Sequence, residues 1–326
     1  MNSLSEILRR AVASPRALSR DEIVALLGLD DPAAEAGLFA AAREVKRRVG
    51  KTEVLPRGLI ECSNFCAKDC SYCGIRRSNA RVARYRLDEG TVRSLVDEAR
   101  RRGYPAVAFQ AGELEGEANT AYYERLLAAA SGLEVTLSLG EQTESVYRRW
   151  KEAGAMRYLI RIETSDPELY ARLHPADCSY ARRLECIRTL KRLGYVTGSG
   201  VMIGLPGQSL GMLADDILFF ARENLDMVGM GPYIPHPDTP LAASVRRTPD
   251  RARDDALLAL SLRMLAVTRL QLHGVNIVAA TALEALDPAG GRDRGIAAGA
   301  NVVMPVLTPS AARLAYDLYP GKGSAA

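Results

Sequence analysis

From Pro56 onward the chain alternates short apolar runs with longer amphipathic stretches. The runs are Leu59-Ile60-Glu61-Cys62, 106–110, 135–139, 158–162, 199–203, 227–230, 276–280 and 302–306. Between them, 88–102, 119–131, 143–154, 179–193, 209–223, 250–272, 288–298 and 310–317 carry apolar residues at helical spacing. Repeated strand–helix pairs predict a parallel sheet with helical crossovers, and eight of them is the number that closes a barrel. An open doubly wound sheet is the structural rival, and no G-x-G-x-x-G after a strand supports it. The expected fold is α/β, a (β/α)8 TIM-type barrel with an N-terminal helical extension. Leu4, Ile7, Leu8 and Val12 recur at helical spacing, Ser19-Arg20-Asp21-Glu22 starts a second helix, and Asp30-Asp31-Pro32 a third. The expected division is a helical extension over 1–50, a barrel over 51–322 and a disordered tail over 323–326. The whole stretch from Pro320 to Ala326 reads as unstructured.

Composition narrows the class. With 326 residues and 48% apolar content, a large core can be buried. Lys and Arg number 43 against 39 Asp and Glu, a formal charge of +4 with no basic block, which gives no support to nucleic-acid binding. Residues 1–20 lack the apolar core of a secretory signal, and no run of about 18 apolar residues predicts a membrane span. Six cysteines in a chain of this length are no disulfide framework; a reducing, cytoplasmic compartment is expected.

Three of those cysteines stand together in Cys66-Ala67-Lys68-Asp69-Cys70-Ser71-Tyr72-Cys73, just after the first apolar run. Thiolates at this density suit an iron–sulfur cluster, and three ligands on a four-iron cluster leave one iron open for chemistry. A zinc knuckle is the alternative, but structural zinc wants a fourth nearby Cys or His, and none follows Cys73 in the loop. Chance clustering of unpaired thiols is the other. The x3–x2 spacing, with Tyr72 beside the last cysteine, resembles the signature of the radical S-adenosylmethionine (SAM) superfamily.

In a barrel, active residues collect at the C-terminal ends of strands. Those ends read Gln110-Ala111-Gly112-Glu113, then Thr136 and Ser138 before Gly140-Glu141, Arg161-Ile162-Glu163-Thr164, Gly204-Leu205-Pro206-Gly207, Gly231 to Pro237, Thr281 and Thr308. Arg161 and Glu163 alternate with apolar neighbours, so both are expected to face the lumen. Opposite charges there suit a ligand carrying both signs, as SAM does; a structural ion pair is the alternative. Gly112 and Gly207 allow a close backbone approach to a ligand, or are ordinary turn residues.

The order of motifs resembles one branch of the superfamily, the HydE-type maturases of iron–iron hydrogenase. The likeness is carried by Ile60-Glu61 to Cys66, Cys73-Gly74-Ile75-Arg76-Arg77-Ser78-Asn79, Arg84-Tyr85-Arg86-Leu87, 136–141, 157–161, 204–208, 231–240, 300–305 and 318–322. It implies a 4Fe–4S cluster on Cys66, Cys70 and Cys73, with SAM on the fourth iron. By position, Arg161, Glu163 and Arg183 would hold the methionine moiety and Gly112-Glu113 its amino group. Tyr72 and Ile203 would border adenine, and Thr136 and Ser138 would face the substrate. Implied partners are SAM, a small-molecule or organometallic substrate, an electron donor such as ferredoxin or flavodoxin, and other hydrogenase maturases. Ala111, Ile162, Ala280, Val306 and Leu307 stand where the family usually has polar or aromatic residues, which predicts a more apolar substrate pocket. That keeps open a relative acting on a small organic substrate, of methylornithine-synthase or biotin-synthase type. A non-catalytic iron–sulfur carrier is disfavoured by the Arg161/Glu163 pair. Cys62, Cys178 and Cys186 read as structural, His174 and His236 as loop anchors, with a substrate contact open for His236.

Overall fold

The computed structural model describes residues 3–245 and 250–322. Three helices come first: α1 (Leu4–Ala13), α2 (Arg20–Leu27) and α3 (Pro32–Arg48). Ser19 and Glu22 form a capping box at the start of α2, and Asp31 caps α3 with Pro32 in its first turn. The barrel follows as β1 (Leu55–Ser63), α4 (Glu89–Arg101), β2 (Ala106–Ala111), α5 (Glu117–Ala129), β3 (Glu134–Ser138), α6 (Glu144–Glu152) and β4 (Ala155–Leu159). Then come α7 (Pro167–Leu173), α8 (Tyr180–Arg192), β5 (Val196–Ser199), β6 (Met202–Ile203), α9 (Leu210–Arg222), β7 (Met227–Val228), β8 (Gly231–Pro232) and α10 (Pro240–Ala243). The last elements are α11 (Arg251–Gln271), β9 (Asn276–Ile277), α12 (Ala282–Leu286), α13 (Gly291–Ala298), β10 (Val302–Val303) and α14 (Ser310–Ala315).

Eight strands pair in the order β10-β1-β2-β3-β4-β5-β7-β9, every pairing parallel. A parallel bridge from Val278 to Val302 joins the two ends and closes the ring. The expected (β/α)8 architecture is therefore present. Ile60 and Cys62 of β1 are wholly buried in the layer between strands and helices, so Leu59 and Glu61 belong to the lumen face. On the outer face of β4, Tyr158 stacks on Trp150 of α6 and meets Tyr147 edge-on. The N-terminal helices pack outside the ring: Arg20 pairs with Asp215 of α9, and Lys46 donates to the carbonyls of Ile296 and Ala300.

Three expected strands differ. The run 199–203 divides into β5 and β6, and 227–230 opens into β7 and, from Gly231, β8. At the break a Cβ on Gly200 would lie 1.7 Å from the Gly229 carbonyl oxygen. The two backbones approach closely there, and the parallel hydrogen bonds run on across the break, from the Gly229 amide to the Ser199 carbonyl at 2.9 Å and from the Gly231 amide to the Val201 carbonyl at 3.4 Å, into the pairing of β6 with β8. The fourth expected strand, 158–162, begins earlier and ends at Leu159. Among the described residues no helix is long and apolar enough to cross a membrane.

The expectation of an unstructured stretch from Pro320 fails for the described part of it. After α14, residues 316–322 run back across the barrel mouth and Lys322 is buried. Residues 323–326 lie outside the described residues.

Candidate active site

The loop after β1 is held by hydrogen bonds from its own side chains and backbone. Asp69 accepts hydrogen bonds from Arg76 Nε and from the amide and hydroxyl of Ser78. Arg84 fans out to the carbonyls of Asn64, Ile75 and Arg76. The Ala67 amide donates to the Glu113 carbonyl and the Ser71 amide to that of Leu173. These bonds leave Cys66, Cys70 and Cys73 on the wall of one cavity of about 330 Å³. Tyr72, Gly112, Glu113, Ser138, Arg161, Glu163 and Arg183 line the same cavity. Burial pushes all three thiols up, Cys73 to about 12, so unaided they remain neutral. A soft cation shared among them is what would make them thiolates.

Five charged side chains form a chain around this wall. Glu113 Oε2 accepts from the Glu141 amide at 2.8 Å. Glu141 Oε1 accepts from Arg183 Nε at 2.6 Å, and Arg183 Nη1 donates to the Arg161 carbonyl at 2.5 Å. Arg161 in turn donates to Glu163 Oε2 at 3.0 and 2.9 Å. The second oxygen of Glu113, Oε1, is buried without a hydrogen-bond partner, with Lys68 Nζ at 3.4 Å. Burial pushes the Glu113 carboxyl up, against the pull of Arg183. A buried carboxylate oxygen with no donor invites one from a ligand. Paired guanidinium and carboxylate groups alongside suit a zwitterion. The residues present thus fit both a cysteine-bound cluster and a SAM-like ligand next to it.

Glu163 reaches this position through a left-handed backbone, φ 65°, which is uncommon for a residue with a side chain. Its amide donates to the Gly200 carbonyl, and its carbonyl accepts from Met202, each at 3.0 Å. Behind it, the Ser165 amide donates to Asp216 Oδ1 at 2.6 Å. Asp216 is fully buried, and its Oδ2 has no hydrogen-bond partner. Desolvation pushes its pKa up to about 7.

Several placements differ from expectation. Thr136 is not on the cavity wall; it sits deeper, accepting from Arg57 Nη1 at 3.2 Å. Ile203 is buried in the core, and its neighbour Met202 lines the cavity instead. Gly112 makes its close approach to the cysteine loop itself, where a Cβ would lie 2.3 Å from the Phe65 oxygen. Of the five apolar replacements, Ala111 and Ala280 line the cavity, Ile162 and Leu307 face the core, and Val306 bridges to Leu59 without lining the cavity. His174 is an anchor: it stacks on Tyr170 at 3.8 Å, meets the Tyr72 hydroxyl at 3.3 Å, and burial pushes its pKa down to about 3. His236 bonds Asp317 at 2.9 Å and is absent from the cavity wall. Sequence reasoning missed Lys68, Glu141 and Lys322. Lys68 lay in view inside the cysteine motif, and Glu141 three residues after Ser138.

The profile of the radical SAM superfamily matches residues 60–220. The chain is 43% identical over 316 residues to the [FeFe] hydrogenase maturase subunit HydE of Thermotoga maritima, covering 94% of this chain and 85% of that one. It is 26% identical over 306 residues to 3-methylornithine synthase of Methanosarcina acetivorans, covering 91% and 81%. In three dimensions it is similar to the crystal structure of methylornithine synthase (PylB), with a TM-score of 0.79 at 22% identity over 93% of this chain and 85% of that one.

Asp216 gives the loop a pH signature. Its folded pKa lies above its ordinary 3.8, so the stability it supports is complete below about pH 4 and lost as pH rises through about 7. Asp216→Asn keeps the acceptor for Ser165 and removes the titration. In urea unfolding at pH 5 and pH 8, the variant should gain on the wild type as pH rises, by at most ~1.4 kcal/mol per unit. Parallel pH dependences would show that Asp216 does not titrate in this range.

Proposed function

The chain belongs to the radical SAM superfamily and is a radical SAM enzyme using a 4Fe–4S cluster and SAM, and from that premise we propose that it acts as a HydE-type maturase of iron–iron hydrogenase. The observation that supports this reading is the convergence of three cysteines of one loop with Glu113, Arg161, Glu163 and Arg183 on one barrel cavity, with Glu141 behind them joining Glu113 to Arg183. Cys66, Cys70 and Cys73 would hold the cluster. When bound, the cluster and SAM supply reductive cleavage of the sulfonium, giving methionine and a 5′-deoxyadenosyl radical. Glu113 Oε1 would accept from the methionine ammonium, which would displace Lys68. Arg161 and Arg183 would take its carboxylate, with Glu163 holding Arg161 in place. Tyr72, Met202 and Ser138 line the same cavity, and Ser138 would face the substrate. The residues' second task is exclusion of water: the substrate half is closed by Leu59, Leu159, Val278 and Met304. We place the protein in a reducing cytoplasm, with a ferredoxin- or flavodoxin-like donor and the other hydrogenase maturases as partners. Ala111 and Ala280 on the wall favour a second reading, a relative acting on a small organic substrate as methylornithine synthase does.

Two experiments test these readings. Glu163→Gln should assemble its cluster normally but bind SAM more weakly, by roughly 10- to 150-fold for the loss of about 1.5–3 kcal/mol from one charge-assisted bond. Unchanged SAM affinity would remove Glu163 from the binding set. The second is complementation of a hydrogenase-maturing host lacking its own HydE. Restored hydrogenase activity is the expected outcome. SAM cleavage in vitro without restored activity would favour the organic-substrate reading.

A further inference from the structure

One charged residue on the cavity wall stands outside the five-residue chain and its neighbour Lys68. Lys322 is 5% exposed and lines the cavity, carried there by the segment that follows α14. That segment is fastened along its length. The Asn64 amide donates to the Ala315 carbonyl, His236 bonds Asp317, the Gly74 amide donates to the Leu318 carbonyl, and the Tyr319 and Thr281 hydroxyls bond each other at 2.7 Å. Gly74 is fitted to it, since a Cβ there would lie 1.9 Å from the Asp317 oxygen.

The ammonium at the end of this strap is well held. Lys322 Nζ donates to Glu61 Oε1, and lies 4.7 Å from the centre of the Tyr316 ring. Glu61 is fully buried, and its other oxygen has no hydrogen-bond partner, so the carboxylate is committed to Lys322 alone. Desolvation pushes the lysine down to about 7, and the carboxylate with the ring face favours its charged form. An ammonium has three N–H donors. Glu61 takes one and the ring faces another, which leaves a donor for the cavity, among apolar neighbours Leu59 and Met304.

We propose that Lys322 is a specificity-determining residue of the barrel cavity, donating a charge-assisted hydrogen bond to an anionic group of the substrate, with Glu61 as the positioning residue that holds it. This rests on the cavity being the substrate site, and on nothing about which substrate fills it. A carboxylate should therefore be preferred to its neutral isostere.

The test uses cluster-loaded, SAM-bound protein and two probes, propionate and propionamide, with binding read by saturation-transfer NMR. The wild type and Lys322→Arg should favour propionate by roughly tenfold or more. Lys322→Met should lose that preference while SAM still alters the electron paramagnetic resonance spectrum of its cluster. Should Lys322→Met not fold, the double variant Glu61→Gln/Lys322→Met leaves no unpaired charge and takes its place. A propionate preference that survives the loss of Lys322, or none in the wild type, would overturn the proposal. Failure of the hydrogenase reading shows separately, in complementation, and leaves this preference intact.

Discussion

The constraint on which the barrel mouth depends is the gathering of three soft, half-buried sulfurs on a single loop. Buried thiols resist ionisation, and around Cys66, Cys70 and Cys73 burial is the largest influence on each. Such a loop holds its shape through side chains other than the cysteines: Arg84 alone binds four carbonyls, and Asp69 closes the turn. Its neighbours are fitted to that shape. Gly112 lies against Phe65 and Cys66, and Gly74 against the C-terminal strap, both at distances no side chain could tolerate.

The ligand wall obeys a second constraint, that buried charges must be paired. Five ionisable groups are linked there, in a run of bonds that passes from the ends of β2, β3 and β4 into α8. Glu113 follows β2, Glu141 follows β3, Arg161 and Glu163 follow β4, and Arg183 lies in α8. The left-handed backbone at Glu163 is a strained conformation held by bonds on both sides of the peptide chain. Glu113 Oε1 has no hydrogen-bond partner and only Lys68 of the cysteine loop nearby, at 3.4 Å, where a ligand ammonium would sit.

Much of this was legible in the sequence because it rests on local pattern. Period-2 and period-3.6 runs gave the barrel, and three cysteines at fixed spacing gave the site. Arg161 and Glu163 were placed on one face by alternation alone, and both line the cavity. What sequence could not supply was depth and long-range docking. Thr136 and Ser138 share a face of β3, yet only Ser138 reaches the cavity, since two residues along a strand amount to about 7 Å. Ile162 and Leu307 read as wall residues, and the barrel turns them toward the core. Lys322 lay in a stretch rich in glycine and small residues that gave no helical or strand signal. Its burial is set by Glu61, 261 positions earlier in the chain.

The central claim is that Cys66, Cys70 and Cys73 hold a four-iron cluster whose open iron takes SAM. Anaerobic reconstitution, with iron and sulfide counted and the reduced cluster followed by electron paramagnetic resonance, tests it most directly. The account predicts one 4Fe–4S cluster per chain, a spectrum that changes when SAM is added, and loss of the full cluster in Cys70→Ala. A complete four-iron cluster in Cys70→Ala, or a wild-type spectrum indifferent to SAM, would contradict it.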